Sequence, residues 1–281
     1  IRFLSEVFGD KIMIDSKEKP NPYFLPLSNK HGLSMVLPSK LFTSSVFSFA
    51  LKARVNWDEM EPNEVGGLIA INGQHTGILC RKTESGDLFL QCDVWIQQNL
   101  LEKPVSLYCK LEDGPADDPY WKVDGKDDWY NIVMVVDRDE QKLKFQVNDK
   151  YSEMTFDGDM MKYDNAMIWL GCCNGLSMCP PEHQWNFTGL IDNLGIFLYD
   201  VLVEDRIEFS QSGEKQVDED GIPQFTYGKS LGSFFNGTHK DGDFDYRDIV
   251  FISNLKEINS FKIFDESNNG NHFVKYNDEW I

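Results

Sequence analysis

Hydrophobic and polar residues alternate with a period of two in several stretches of the chain, as strands with one buried face require. In residues 46–55 the apolar positions on one face are Phe47, Phe49, Leu51, Ala53 and Val55. The same period places Leu88, Leu90, Cys92 and Val94 opposite Gln91 and Asp93. It also places Leu143, Phe145 and Val147 opposite Lys142, Lys144 and Gln146. Residues 132–136 are apolar at every position, which predicts a central strand covered on both sides.

Turn-forming residues separate these runs, at positions 84–87, 113–115 and 157–159. Many short strands without alternating helices predict an all-β protein in which antiparallel sheets pack face to face as a β-sandwich. The side chains predicted to fill the core between the two sheets are Trp129, Ile132, Met134, Phe145, Ile191 and Phe197.

Four stretches follow one another in a characteristic order. They are residues 46–53 (VFSFALKA), residues 129–149, residues 168–171 (IWLG) and residues 187–197 (FTGLIDNLGIF). In residues 129–149 a Trp opens a strand, an Asp ends it, and the next strand returns to a polar turn. Together they resemble the laminin-G-like and concanavalin-A-like jelly-roll family of lectin-like domains. The resemblance implies a jelly-roll sandwich for residues 1–210.

Residues 211–281 form a predicted acidic C-terminal extension. Residues 211–221 are polar and acidic, and they are predicted to be a linker. Residues 261–272 (FKIFDESNNGNH) resemble the segment that opens a domain of the same family, which predicts a partial second unit. The alternative is a strand and turn that complete the sheet of the first domain, and both interpretations stay open at this point.

Net charge limits the classes of partner. The chain of 281 residues has 27 basic and 46 acidic residues, a formal net charge of −19. Such a field repels polyanions, so no nucleic-acid partner is expected. No apolar run approaches the roughly 20 residues that cross a bilayer, so membrane contact is expected only through parts outside this chain. Because the first residue is Ile, we expect a processed product or a piece of a longer chain.

The six cysteines, taken with two glycosylation sequons, favour a secreted or cell-surface glycoprotein. The cysteines predicted to form disulfides are Cys80, Cys92, Cys109, Cys172, Cys173 and Cys179. Cys80 and Cys92 flank a Gly turn and are predicted to face one another across a hairpin. Of the adjacent pair at 172 and 173, one is expected to bind Cys179 and the other Cys109, one of 15 possible connectivities. The sequons predict glycosylation at Asn186 and Asn236.

Catalytic patterns are absent from the sequence. No histidine lies in a catalytic frame, there is no Gly-x-Ser-x-Gly elbow, and the cysteines lack paired zinc-site spacing. Jelly-roll glucanases need two carboxylates on one strand face, about 5–5.5 Å apart, and no Glu-x-Asp-x-Glu triplet occurs. We therefore predict a protein that is not an enzyme, with a jelly-roll glycoside hydrolase as the alternative.

Calcium is the cofactor for which the sequence offers ligands. Asp241, Asp243 and Asp245 supply carboxylates at alternate positions, a pattern that suits a hard cation. The resemblance also implies a metal at the rim of the jelly roll, with Asp192 as the matching acid. The alternatives are a solvated acidic loop and, for Asp192, a hydrogen bond to a neighbouring loop.

Aromatic residues beside carboxylates and amides are candidate sugar-binding groups. These aromatic residues are Trp95, Tyr120, Trp121, Trp129 and Trp185. Tyr120 and Trp121 follow the polar loop of residues 113–119 and are the predicted ligand-binding residues. The predicted function is a non-catalytic extracellular recognition or adhesion module that binds a glycan or an extracellular protein. A structural domain of a surface filament or coat is the further alternative.

Overall fold

The computed structural model describes many separate stretches of the chain. They are residues 25–27, 33–36, 39–71, 76–98, 101–111, 121–122, 129–148, 150–160, 167–171, 187–202, 231, 234–235, 248–253, 258–259, 262–263, 265–267 and 269–275. Strands dominate these stretches. They also contain a five-residue helix α1 (Ser39–Thr43), a 3₁₀ turn (Trp57–Glu59) and helical residues at 201–202, 231 and 234–235.

The strands of the first half are β1 (Leu25–Leu27), β2 (Leu33–Val36), β3 (Val46–Val55), β4 (Val65–Ile71), β5 (Thr76–Lys82), β6 (Leu88–Gln98), β7 (Leu101–Lys110), β8 (Trp121–Lys122) and β9 (Tyr130–Asp137). Those of the second half are β10 (Lys142–Val147), β11 (Lys150–Thr155), β12 (Asp159–Met160), β13 (Met167–Leu170), β14 (Gly189–Phe197), β15 (Ile249–Ser253), β16 (Ile258–Asn259), β17 (Lys262–Ile263) and β18 (Phe273–Lys275).

These strands form two sheets. Sheet A has the order β1-β14-β3-β9-β10-β11, with β15 also paired to β14. Sheet B has the order β16-β17-β18-β2-β13-β4-β5-β6-β7-β8, with β12 paired to β6. The described pairs are antiparallel, apart from the parallel pair of β7 and β8. The prediction of an all-β antiparallel sandwich is confirmed.

Alternate residues of both sheets meet in one apolar core, as the period of two predicts. Phe145 lies beside Met134 across β10 and β9, and Leu51 lies beside Ile132 across β3 and β9. Ile132, Met134 and Ile191 are fully buried in this core and Phe145 is 2% exposed, which confirms these four predictions. The register of β10 is therefore the predicted one, since a slip of one residue would turn Phe145 outward.

A second apolar cluster covers the outer face of sheet A. Its buried members are Ala50, Val133, Val135, Phe197, Val201, Leu202, Leu231, Phe234, Phe235, Ile249 and Ile252. This cover explains why residues 132–136 are apolar at every position. The prediction that Phe197 lies between the sheets is wrong, because its ring packs in this outer cluster, 6.2 Å from the ring of Phe234.

A β-bulge in β14 causes that error. Asp192 pairs with Lys52 and Leu194 pairs with Leu51, so Asn193 is an extra residue in the strand. Asn193 adopts a φ of 46°, and its Nδ2 donates a hydrogen bond to the carbonyl of Phe235 at 3.0 Å. The extra residue shifts the alternation by one position. Side chains after the bulge therefore point to the face opposite to the predicted one.

The prediction that Trp129 lies in the core is also wrong. Trp129 is half-buried rather than a core residue, and the Nζ atom of Lys52 lies 5.4 Å from the centre of its ring. Tyr130 is the next residue and is fully buried among the core side chains. Because neighbouring residues of a strand point to opposite faces, Trp129 faces outward beside Lys52.

An ion pair lies on the covered face of sheet A. The Nζ atom of Lys144 contacts Oδ2 of Asp200, and the two side chains are 9% and 10% exposed. The other carboxylate oxygen of Asp200 accepts a hydrogen bond from the backbone N–H of Leu202 at 2.9 Å. Asp200 therefore links β10 to the helical residues 201–202.

The C-terminal strands add to both sheets. β15 pairs with β14 in sheet A, and β18 pairs with β2 in sheet B. The turn between β17 and β18 is held by Asp265, whose carboxylate accepts hydrogen bonds from the N–H groups of Ile252, Ser267 and Asn271. The side-chain amide of Asn271 donates to the carbonyl of Val250 at 2.7 Å. The domain division at residues 210 and 211 stays a prediction.

The predicted pairing of the described cysteines is wrong. Cys80, Cys92 and Cys109 are buried, reduced thiols in the core. Cys80 lies opposite Leu90, and Cys92 lies opposite Ile78, so the two thiols are diagonal neighbours. Diagonal positions are about 7–8 Å apart, beyond the Cα separation of about 4.4–6.8 Å that a disulfide spans. The cysteines at positions 172, 173 and 179 lie outside the described residues.

We expect these thiols to be inert in the folded protein. Burial raises the pKa of Cys80 and of Cys92, and the thiolate is the reactive form. Alkylation followed by peptide mass mapping should leave Cys80, Cys92 and Cys109 unmodified under native conditions. The same reagent should modify all three in denaturant without a reductant. Resistance to alkylation in denaturant would show a disulfide and contradict the structure.

Candidate functional site

The outer face of sheet B carries a cluster of polar and aromatic side chains. On β6 the core takes Leu88, Leu90, Cys92 and Val94, so the residues between them point outward. The cluster, here called the outer-face patch, consists of Arg81 on β5, Phe89, Gln91, Asp93 and Trp95 on β6, and Ser106 and Tyr108 on β7. Register places Gln91 beside Tyr108 and Asp93 beside Ser106.

Asp93 is the centre of the patch. Its side chain is 5% exposed, and the neighbouring Gln91 is 7% exposed. The Nε2 group of Gln91 donates a hydrogen bond to Oδ1 of Asp93 at 2.7 Å. Burial raises the pKa of Asp93, while hydrogen bonds from Gln91 and Ser106 and the charge of Arg81 oppose that rise. A carboxylate is thus held in a poorly solvated place by neutral donors and one exposed cation.

Half-buried aromatic rings flank this carboxylate. The rings of Phe89 and Tyr108 meet edge to face, with centroids 6.3 Å apart and an interplanar angle of 82°. Trp95 follows Asp93 by two residues on the same face, and its backbone N–H donates to Oγ1 of Thr76 at 3.2 Å. The patch therefore combines apolar ring surface with a carboxylate, an amide and a hydroxyl.

The side of Asp93 that faces β5 is occupied by Gly77, which is its direct cross-strand neighbour. A Cβ atom at position 77 would lie 2.1 Å from the carbonyl oxygen of Ile69, so a larger residue does not fit. The cause is an irregular register of β4 between Gly67 and Ile69, which brings its backbone close to β5. No side chain of β5 therefore stands directly beside Asp93.

The side chains of the patch can make several hydrogen bonds to a ligand. A carboxylate accepts hydrogen bonds, an amide both donates and accepts, and a hydroxyl does either. The patch as defined holds one carboxylate, whereas glycoside hydrolysis needs two that flank the scissile bond.

The ligand-binding residues predicted from the sequence are not among these groups. Tyr120 lies outside the described residues. The backbone of Trp121 is in β8, where it pairs with Cys109 at the edge of sheet B, next to the strand that carries Tyr108. Glycosylation at Asn186 and Asn236 also falls outside the described residues and stays a prediction.

The role of Asp192 as a calcium ligand stays a prediction. Asp192 is 3% exposed on β14, and its cross-strand neighbour is the cation Lys52. Within the described ranges, no three His, Cys, Asp or Glu side chains are placed to share a metal ion. Calcium takes about six to eight oxygen ligands. Asp241, Asp243 and Asp245 lie outside the described residues, so the acidic-loop part of the prediction stays untested.

The alternation of the sequence predicts the face on which the patch residues lie, but it does not predict the burial of Asp93. The alternation in residues 88–94 placed Gln91 and Asp93 together on the face opposite the core, where polar residues are ordinarily solvated. Trp95 is one of the aromatic residues that the sequence offers as candidate sugar-binding groups. The burial of Asp93 depends on neighbouring strands that the local pattern does not reveal, so no local signal distinguished it from a solvent-exposed Asp.

Comparison with known proteins shows likeness at the level of structure. No protein-family model matches the chain, and no curated protein matches it in sequence. A native heptameric SAP-like pentraxin from Limulus polyphemus is 12% identical with a TM-score of 0.43, over 74% of this chain and 86% of that one. A candidate carbohydrate-binding protein from Bacteroides ovatus is 11% identical with a TM-score of 0.48, over 90% of this chain and 58% of that one. The CBM40 of a Ruminococcus gnavus IT-sialidase is 12% identical with a TM-score of 0.44, over 68% of this chain and 97% of that one.

In the part of the chain that the structure describes, no helix is long and apolar enough to cross a bilayer.

Proposed function

We propose that the protein is a non-catalytic recognition module that binds a glycan through the outer-face patch. The observation that carries this proposal is the buried hydrogen-bonded pair of Gln91 and Asp93, set beside the half-buried rings of Trp95 and Tyr108. A sugar presents hydroxyl groups around its rim and C–H groups on its faces. Polar groups next to aromatic rings complement both parts of such a ligand.

The raised pKa of Asp93 supports a binding role for this residue rather than a structural one. Its folded pKa is raised above the ordinary value of 3.8. Such a group contributes most stability when protonated, and this contribution is lost as the pH rises through the folded pKa. Ionised Asp93 therefore destabilises the fold at neutral pH. Groups that are costly to the fold concentrate at functional sites.

Asp93→Asn is the direct test, because it removes the charge and keeps the shape. Hydrogen bonds to charged groups contribute about 1.5–3 kcal/mol, so binding of an oligosaccharide found on a glycan array should weaken about 10–100-fold. The free energy of unfolding should stay equal or rise at pH 7. The difference from the wild type should shrink as the pH falls below the folded pKa. Calorimetric titration and urea unfolding at several pH values measure these effects.

Glu84→Gln is the matched control. It removes one charge from an exposed position in the turn between β5 and β6, outside the patch. It should leave both affinity and stability unchanged. Trp95→Ala provides a second, uncharged change within the patch and should also weaken binding. Oligosaccharide binding that survives both Asp93→Asn and Trp95→Ala would overturn the assignment of the patch.

A secreted or cell-surface location belongs to this proposal. Its support is the pair of sequons at Asn186 and Asn236. The reduced state of the described cysteines removes the argument from disulfides at those positions.

A further inference from the structure

The positive charges in and beside the outer-face patch are each close to a carboxylate, and this arrangement affects which class of ligand the patch can bind. Among its described residues and their neighbours on the same face, the cations are Arg81 and Lys110. Lys110 forms an ion pair with Asp87 at 3.2 Å. Arg81 is exposed, and its charge acts on Asp93. Both positive charges are thus already offset by a carboxylate.

Asp93 has hydrogen-bonding capacity beyond its protein partners. Gln91 and Ser106 donate to it. A carboxylate has about four lone-pair sites on its two oxygens, so about half of them stay available to donors from a ligand. A hydroxyl group that donates to a carboxylate forms a charge-assisted bond, roughly twice as strong as a neutral one.

An anionic ligand would meet unfavourable electrostatics at the same place. A second carboxylate or sulfate near Asp93 places like charges together where burial limits screening. The whole chain adds a net charge of −19, which lowers the local concentration of anions. The flanking rings of Trp95 and Tyr108 supply neutral surface.

We infer that the outer-face patch selects uncharged sugars, which donate hydroxyl hydrogen bonds to Asp93 and lay a ring face on Trp95 or Tyr108, and that it discriminates against acidic sugars. This inference rests on the proposed glycan-binding function. It deepens that function by assigning specificity to the Asp93 carboxylate.

The experiment uses the full chain on an array that pairs neutral oligosaccharides of hexoses and N-acetylhexosamines with their sialylated, uronic acid and sulfated counterparts. The neutral member of each pair should bind at least about tenfold more tightly, because a like charge beside Asp93 costs about 1.4 kcal/mol or more, which corresponds to tenfold in affinity. Affinity for the neutral sugar should change little between low and high salt, since it involves no ligand charge. Glu84→Gln, an exposed change outside the patch, should leave neutral binding nearly unchanged.

The outcomes separate the two proposals. Preferential binding of acidic sugars, with an affinity that falls with salt and with Arg81→Gln, would overturn the inference and leave the glycan-binding function intact. A preference for amine-bearing sugars, lost in Asp93→Asn, would also overturn it, because it would show Asp93 pairing with a cation. Absence of binding to every oligosaccharide would overturn the proposed function itself.

Discussion

Lys144→Ala is expected to lower the free energy of unfolding by about 3–5 kcal/mol, the usual cost of removing one partner from a buried ion pair. Lys144 and Asp200 are 9% and 10% exposed, so the remaining carboxylate would be left without its cation in a poorly solvated place. The effect is expected to be large because Asp200 also holds the N–H of Leu202 at 2.9 Å. Urea unfolding followed by tryptophan fluorescence measures the change.

The control for this prediction lies two residues away on the same strand. Lys142 contacts Glu140 at 3.4 Å, but these side chains are 33% and 65% exposed. Exposed pairs contribute about 0–1 kcal/mol, so Lys142→Ala should have a small effect. The double variant Lys144→Met with Asp200→Asn leaves no unpaired charge and keeps an acceptor for Leu202. The double variant should lower the free energy of unfolding by less than Lys144→Ala alone. Equal costs for Lys144→Ala and Lys142→Ala would contradict the buried pair.

Phe145→Ala should also destabilise the protein strongly, by about 3–5 kcal/mol, because it leaves a cavity in a packed core. Phe145 is 2% exposed in the core between the sheets, opposite Met134 on β9 and Ser152 on β11. Neighbours held in two sheets cannot collapse into the space without distorting strand pairing. Equilibrium unfolding in urea gives the free energy, and an unchanged denaturant dependence would show that the fold is retained.

Met154→Ala is the matched change on the adjacent strand. Met154 pairs with Leu143, yet it is 36% exposed at the edge of sheet A. Truncation of a partly exposed side chain at an edge should stay within about 0.5 kcal/mol. A cost for Phe145→Ala no greater than that for Met154→Ala would mean that Phe145 is not in the core.

Much of the fold was predictable from the period of the hydrophobic pattern. The strand of residues 46–55 and the register of β10 follow from alternation alone, because a one-residue shift would turn every apolar side chain outward. The fully apolar residues 132–136 predicted a strand covered on both sides, and two clusters do cover β9. These features are local, since each strand needs only its own sequence to define its buried face.

The errors arose where the direction of a side chain depends on distant parts of the chain. The bulge at Asn193 is stabilised by a hydrogen bond to Phe235, which is 42 residues away, and it moved Phe197 to the outer cluster. The cysteines are close in sequence and share a face, yet the register of β5 on β6 makes Cys80 and Cys92 diagonal neighbours. Neither result is encoded in the alternation of one strand.

The sequence by itself therefore determined the class of fold and the inward and outward faces of most strands, because periodicity is a property of the chain alone. The tertiary structure decided which polar residues lose contact with water. Asp93 and Lys144 both occupy outward positions in an alternating pattern, yet both are buried. Lys144 pairs with Asp200, and Asp93 lies between its neighbours on the adjacent strands of sheet B. Burial changes the free energy of a charge through desolvation, which depends on everything around it. Hence the candidate site at Asp93 emerged only when the strands were assembled.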